Sequence, residues 1–149
     1  MRTWTMALAA LLAISAAASA PRAQQAAPGV AVYKTASCGC CSQWVKHMQT
    51  HGFDVKAVDV ADIGRVKAAY GVPPELGSCH TALVGGYVVE GHVPGDAVQR
   101  LLRERPQVAG LAVPGMPVGS PGMEVGDRRE PYVIFSFDRA GDRAVFDRR

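Results

Sequence analysis

The sequence has little net charge and few cysteines for its length. Its 149 residues carry 16 lysines and arginines against 13 aspartates and glutamates, which gives a formal charge of +3. The basic residues are scattered, and no run of them is long enough to indicate nucleic-acid binding. With 48% apolar residues, the composition is typical of one globular domain with room for a core.

The N-terminus lacks the length of apolar sequence that a membrane span needs. The stretch MALAALLAISAAASA follows a positive residue and grades into small residues, which is typical of a secretory signal peptide. An uncleaved anchor is the alternative, and we expect no lipid attachment because no cysteine lies near the end of the stretch. We predict three segments: a signal peptide at 1–23 with cleavage between 18 and 23, a flexible leader at 24–29, and a metal-binding domain at 30–149.

Short strands and helices alternate in the predicted domain. The predicted elements are a strand at 30–33, a helix at 42–51, a strand at 53–60, a helix at 62–70, a hairpin of strands 81–84 and 87–90, and a helix at 95–105. This β-α-β-α-β-β-α order is that of the thioredoxin fold. We therefore predict an α/β fold of three layers, with a central mixed sheet and helices on both faces.

The remaining C-terminal part differs in composition. Residues 106–131 are rich in proline and glycine and show no period, so this segment is either functional or a packed extension. Residues 132–137 alternate as a strand does, and 144–146 return as a second strand after a turn at Gly141. We predict a Pro/Gly-rich extension that ends in a β-hairpin.

Three of the four cysteines, Cys38, Cys40 and Cys41, lie within CGCC, and Cys79 stands in SCHT. In a thioredoxin fold the loop after the first strand carries C-x-x-C at a helix N-terminus, where thiolates are stabilised. The residue before the third strand lies beside that loop and is normally a cis-proline. Here the residue directly before Thr81 is His80 and not a proline. We therefore expect the four sulfur atoms to converge at one end of the sheet.

Three chemistries compete for this cluster. Two structural disulfides are the first, although a chain of this length scarcely needs them. A thiol–disulfide oxidoreductase is the second; it would use Cys38 and Cys41 and leave Cys40 and Cys79 surplus. The third is a soft metal such as Cu(I). Three cysteines in four residues depart from the spacing of single zinc sites and favour a polynuclear copper–thiolate cluster. A mononuclear Cu(I) chaperone stays open as a further alternative.

Other side chains are candidates for the same metal. His47 and His51 share a helix face, a spacing that can hold a metal but is also common on solvated helices. His80 either joins the site or faces away from the sulfurs, because neighbours on a strand point to opposite sides. For His92 we expect a hydrogen bond to a loop carbonyl.

Thioethers are a further ligand type that suits Cu(I). Met116 and Met123 lie in the Pro/Gly-rich segment, where burial of a methionine in the core is less expected than in a helix or strand. We keep both as candidate copper ligands.

The motifs YKTASCGCCSQW, SCHT, GHVP and PGMPVGSPGM resemble, in this order, those of the CopG-like periplasmic copper-resistance proteins. That family is catalogued as a metal-binding domain of unknown function. The resemblance extends over residues 30–146. It implies a thioredoxin-like fold, a periplasmic location, and copper bound by Cys38, Cys40, Cys41 and Cys79.

The resemblance also implies a role in Cu(I)/Cu(II) interconversion during copper detoxification. A copper-handling or electron-transfer partner in the periplasm would then be needed, and no membrane or nucleic-acid contact is expected after signal cleavage. Whether the protein is an enzyme, a copper oxidoreductase, is left open by the sequence.

Overall fold

The computed structural model describes residues 26–149. The predicted signal peptide and the first two residues of the predicted leader lie outside the described residues. Along the described part, seven strands and three helices occur: β1 (Gly29–Lys34), α1 (Gly39–Thr50), β2 (Asp54–Asp59), α2 (Ile63–Ala69), a 3-10 turn (Pro74–Leu76), β3 (Thr81–Val84), β4 (Tyr87–Glu90), α3 (Gly95–Glu104), β5 (Gly110–Ala112), β6 (Val133–Phe137) and β7 (Arg143–Arg148). Within that part, no helix is both long and apolar enough to cross a bilayer.

All seven strands form one mixed sheet in the order β2-β1-β3-β4-β5-β6-β7. Strand β1 is parallel to β2 and antiparallel to β3, and β4 is parallel to β5. The remaining neighbours are antiparallel. The predicted α/β class with a central mixed sheet and a C-terminal hairpin is confirmed.

The helices cover both faces of this sheet, which gives three layers. Trp44 and Met48 of α1 and Leu101 of α3 are fully buried in one core cluster with β-sheet valines. Lys67 of α2 is hydrogen-bonded to Thr81 of β3. The next residue of β3, Ala82, is part of the first core cluster. Because side chains alternate along a strand, α2 lies on the opposite face, beside a smaller cluster: Val72, Leu76, Val88, Ala112 and Phe137.

Helix α1 begins earlier than the sequence predicts. The prediction starts the helix at Ser42, but α1 starts at Gly39 with Cys38 as its N-cap residue. No side chain caps this end, so the sequence contains no capping signal that would mark it. As a result Cys40 and Cys41 lie in the first helical turn and not in a loop.

The predicted extension is part of the sheet. No strand is predicted within residues 106–131, yet β5 is a fully buried strand between β4 and β6. Three residues are too few to show a period, which explains why the sequence pattern missed it. Gly110 is needed there because a Cβ atom would collide with the backbone of Val88. The extension is therefore anchored where it leaves α3.

A pair of adjacent leucines tests the packing of α3. Leu101 is fully buried, whereas Leu102 is partly buried at the edge of the same core. We expect Leu101→Ala to lower the free energy of unfolding by about 2–5 kcal/mol, because a cavity forms in a packed core. Leu102→Ala should cost less than half as much. Urea denaturation of both variants measures this, and equal losses would contradict the assigned helix face.

Candidate metal centre

The pairing of β1 with β3 brings the cysteines together. Tyr33, near the carboxyl end of β1, is opposite Thr81, the first residue of β3. The loop and helix N-terminus that follow β1 carry Cys38, Cys40 and Cys41, and the loop before β3 carries Cys79. Since these strands are antiparallel, both segments lie at the same end of the sheet.

The four sulfur atoms lie within 4.8 Å of one another. Cys38 and Cys41 form a disulfide, with their Cα atoms 5.4 Å apart, whereas Cys40 and Cys79 are free thiols. The Sγ atom of Cys40 lies 3.5 Å from that of Cys38 and 3.9 Å from that of Cys79. The expected convergence is observed, and Cys40 stands between the disulfide and Cys79. That the four cysteines are metal ligands stays a prediction.

The disulfide limits what the site can bind in this state. Disulfide sulfurs carry no thiolate charge, so only Cys40 and Cys79 can offer thiolates. Reduction by two electrons and two protons restores four thiols in one volume. The site therefore has an oxidised state with two available sulfur donors and a reduced state with four.

A second group of metal-binding atoms shares Cys79. The Nε2 atom of His92 lies 2.9 Å from Cys79 Sγ, and the Nδ1–H group donates to the carbonyl oxygen of Pro121 at 2.7 Å. Because Nδ1 carries the proton, the lone pair of Nε2 faces the sulfur. Metal-binding histidines are commonly held by such a backbone hydrogen bond. The hydrogen bond to a loop carbonyl that the sequence predicts for His92 is thus observed, and its Nε2 atom makes His92 also a candidate ligand, which the sequence analysis did not predict.

His80 also lies beside the sulfur. It is fully buried, its Nδ1 atom is 3.3 Å from Cys79 Sγ, and its Nε2 atom has no hydrogen-bond partner among the described residues. Of the two alternatives that the sequence left open, the position beside the sulfur is the one observed. Strand alternation does not apply here because β3 begins only at Thr81.

The hairpin register contains a signal that could have identified His92. Thr81 of β3 is opposite Glu90 of β4. Continuing this antiparallel register two residues past both strand ends places Cys79 opposite His92. The predicted hairpin was correct at both strands, so this juxtaposition could have been derived from the sequence.

Burial disfavours the charged forms of Cys79, His80 and His92 when no metal is bound. Removal from water lowers the pKa of His92, and that of His80 falls well below its usual value for the same reason and because His92 is near. Burial, and then the neighbouring Cys40, raise the pKa of Cys79 to about 12. Cys79 is thus a thiol at neutral pH, and a thiophilic metal would bind by displacing its proton.

The C-terminal extension closes over the cysteine turn. Gly122 has a φ of +87°, and a Cβ atom there would lie 2.7 Å from the Cys40 carbonyl oxygen and 2.8 Å from the Trp44 backbone nitrogen. Only glycine permits this approach without strain. In the same segment Met116 is 51% exposed and Met123 is partly buried. Their roles as copper ligands stay predictions.

Trp44 packs against His80 at the site. Its Nε1–H group donates to the Val93 carbonyl oxygen at 2.8 Å, and its ring centroid lies 4.5 Å from that of His80. The indole thereby joins α1 to the segment that follows His92.

His47 and His51 lie outside the cysteine cluster, and a role as copper ligands stays a prediction for them. The backbone N–H of Gly95 donates to His47 Nε2 at 2.9 Å, which satisfies one free amide at the start of α3. His51 Nδ1 lies 2.9 Å from the His47 carbonyl oxygen, and a Cβ atom on Gly95 would collide with the His51 ring. The structure does not bring either ring into the two cysteine-containing groups of the described residues.

Comparison with known proteins gives one matching family, described as "Protein of unknown function, DUF411", over residues 76–123. The solved structure "Copper resistance protein copG- Form 2" is 46% identical, with 83% of this chain and 98% of that chain covered and a TM-score of 0.79. "Copper resistance protein copG- Form 1" is also 46% identical, with 81% and 96% covered and a TM-score of 0.77. None of the curated proteins matches the chain.

Gly122 provides a test of the closed extension. We expect Gly122→Ala to lower the free energy of unfolding by about 1–3 kcal/mol, because the added methyl group collides with the backbone of α1. Gly126→Ala is the matched control, since Gly126 also has a positive φ, of +55°, but has open space around it. Equal losses in urea denaturation would show that backbone strain alone, and not the contact with Cys40 and Trp44, is responsible.

The raised pKa of Cys79 predicts slow alkylation. In metal-free protein with the disulfide intact, iodoacetamide at pH 8 should modify Cys79 at least about a hundredfold more slowly than in the urea-unfolded chain. The rate should still rise with pH above 10, because the thiolate fraction grows until the pKa is passed. Mass spectrometry of digests measures the rate, and a folded rate equal to the unfolded one would contradict the prediction.

Proposed function

Because the chain belongs to the CopG family of copper resistance proteins, we propose that it binds copper through Cys38, Cys40, Cys41 and Cys79 and acts in copper resistance. One observation carries this proposal: four sulfur atoms lie within 4.8 Å of one another. Such a soft donor set selects Cu(I) over harder cations. The reduced protein is the form that binds, because it alone has four thiols.

A cluster of several Cu(I) ions fits this arrangement better than one ion. Cys38 is the N-cap residue of α1 and Cys41 lies in its first turn. Cys40 has a sulfur neighbour on each side, at 3.5 and 3.9 Å. A thiolate in this central position can bridge two ions. The nearby Nε2 atom of His92 adds a nitrogen donor, which is a ligand that copper also accepts.

The cysteines can also supply electrons. Oxidation of the Cys38 and Cys41 thiols to their disulfide releases two electrons and two protons, and the two electrons reduce two Cu(II) ions to two Cu(I) ions. The Cys38–Cys41 disulfide in this structure supports this step because it shows that the two sulfur atoms can reach bonding distance. Repeated turnover needs an external reductant, so we infer an electron-transfer or copper-handling partner. This partner would be in the periplasm, because the predicted signal peptide would direct the protein there.

A metal-free thiol–disulfide oxidoreductase is the second candidate. The specific observation in its favour is the Cys38–Cys41 disulfide at the uncapped N-terminus of α1. Against it, Cys40 lies 3.5 Å from Cys38 and could divert a mixed disulfide with a substrate. The two candidates differ in whether purified protein holds copper.

Copper loading of the reduced, mature protein tests the proposal. We expect more than one copper per chain by elemental analysis, mainly Cu(I) by X-ray absorption. Each of the four single Cys→Ser variants should lose more than about a quarter of the copper, because bridging ligands are shared. His92→Asn should also bind less, whereas His47→Asn is the matched histidine control.

Other outcomes identify the alternatives. Near-zero copper together with insulin reduction would favour the oxidoreductase. A single Cu(I) per chain that transfers rapidly to a chelator would favour a chaperone, and loss of one ion per removed cysteine would contradict bridging.

A further inference from the structure

A buried carboxylate is bonded to the two residues that flank Cys79 and His80. Glu90 is fully buried and accepts hydrogen bonds from the backbone N–H of Ser78 at 2.6 Å and from the hydroxyl of Thr81 at 2.7 Å. The ammonium group of Lys67, from α2, forms an ion pair with the same carboxylate. All three donors are therefore directed to one residue of β4.

This ion pair costs free energy that an apolar pair would not. Removing two charges from water is unfavourable, and a buried pair often stabilises a fold less than hydrophobic residues of the same size. The Lys67 side chain is only 17% exposed. The sheet does not need the carboxylate for its ladder, since Glu90 is paired with Thr81 through the backbone. Its side chain thus has a task beyond strand pairing.

That task concerns the two residues between its anchor points. Ser78 and Thr81 flank Cys79 and His80, and both are bonded to the Glu90 carboxylate. The carbonyl of His80 also accepts a bond from the backbone of Gly91 at 3.0 Å. With both ends held, this short segment has little freedom, and Cys79 Sγ stays 3.9 Å from Cys40 Sγ.

We propose that Glu90, neutralised by Lys67, is a positioning residue that holds Cys79 within reach of Cys40. It contacts neither sulfur and acts through Ser78 and Thr81. The effect on copper rests on the proposed function, but the effect on sulfur geometry can be measured in metal-free protein.

The metal-free test is closure of a disulfide between Cys40 and Cys79. With the Cys38–Cys41 disulfide intact, diamide accepts two electrons and two protons from the two free thiols, and mass spectrometry follows the Cys40–Cys79 product. We expect Glu90→Gln to slow closure about tenfold, because charge-assisted hydrogen bonds to the loop are lost. Thr81→Val should slow it less, and Lys67→Arg, which keeps the charge, should close almost as fast as the wild type.

Glu104→Gln is the matched control. Glu104 forms an exposed ion pair with Arg100 on α3, so this variant removes one paired carboxylate far along the chain from the cysteines. It should close at the wild-type rate. Circular dichroism and urea denaturation establish that each variant is folded before its rate is compared.

The same proteins are then loaded with copper. Glu90→Gln is expected to bind copper about tenfold or more weakly in competition with a Cu(I) chelator, as is usual when support of a ligand is lost. A wild-type closure rate in folded Glu90→Gln would overturn the proposal. If Glu90→Gln does not fold, Thr81→Val decides, and unchanged closure there overturns it. If the wild type binds no copper but Glu90→Gln still slows formation of the Cys40–Cys79 disulfide, the copper function is contradicted and the positioning role is supported.

Discussion

The antiparallel pairing of β1 with β3 is the constraint on which the candidate site depends. It places the turn that starts α1 and the loop before β3 at one end of the sheet, so that sulfurs 41 residues apart in sequence, those of Cys38 and Cys79, lie within 4.8 Å. Because β3 and β4 are also antiparallel, the residues that follow β4 lie at the same end of the sheet, and His92 is one of them. Metal-binding atoms from three segments therefore meet without any long loop between them.

Burial and oxidation state together determine how this site can respond to a metal. Desolvation raises the pKa of Cys79 and lowers that of His92, so these two side chains are neutral without a metal, and a cation binds Cys79 by replacing its proton. The disulfide removes two of the four donors. Under the proposed function, Cys38 and Cys41 can either bind copper as thiolates or supply two electrons by forming the disulfide, but not both at once.

Two supports hold the site from different sides. The C-terminal extension enters the sheet as β5 and then returns across α1, where Gly122 contacts Cys40 and the Pro121 carbonyl orients His92. On the other face, the Lys67–Glu90 pair holds the segment around Cys79. Both supports come from residues that have no metal-binding atoms in the site, and both act on its ligand candidates through backbone groups.

Periodicity and turn glycines in the sequence determined the class of fold, six of the seven strands and the three helices, because these are local patterns. The convergence of the four cysteines followed from their positions in the predicted strand order. Three features were decided only by the tertiary structure. Strand β5 is too short to show a period, the start of α1 has no capping residue, and His80 lies in the loop before β3, where strand alternation does not set its orientation. Gly95, whose N–H bonds to His47, lies 48 residues from it in sequence, and Lys67 lies 23 residues from its ion-pair partner Glu90. No local pattern encodes such contacts, since they arise from packing between elements that the chain brings together only on folding.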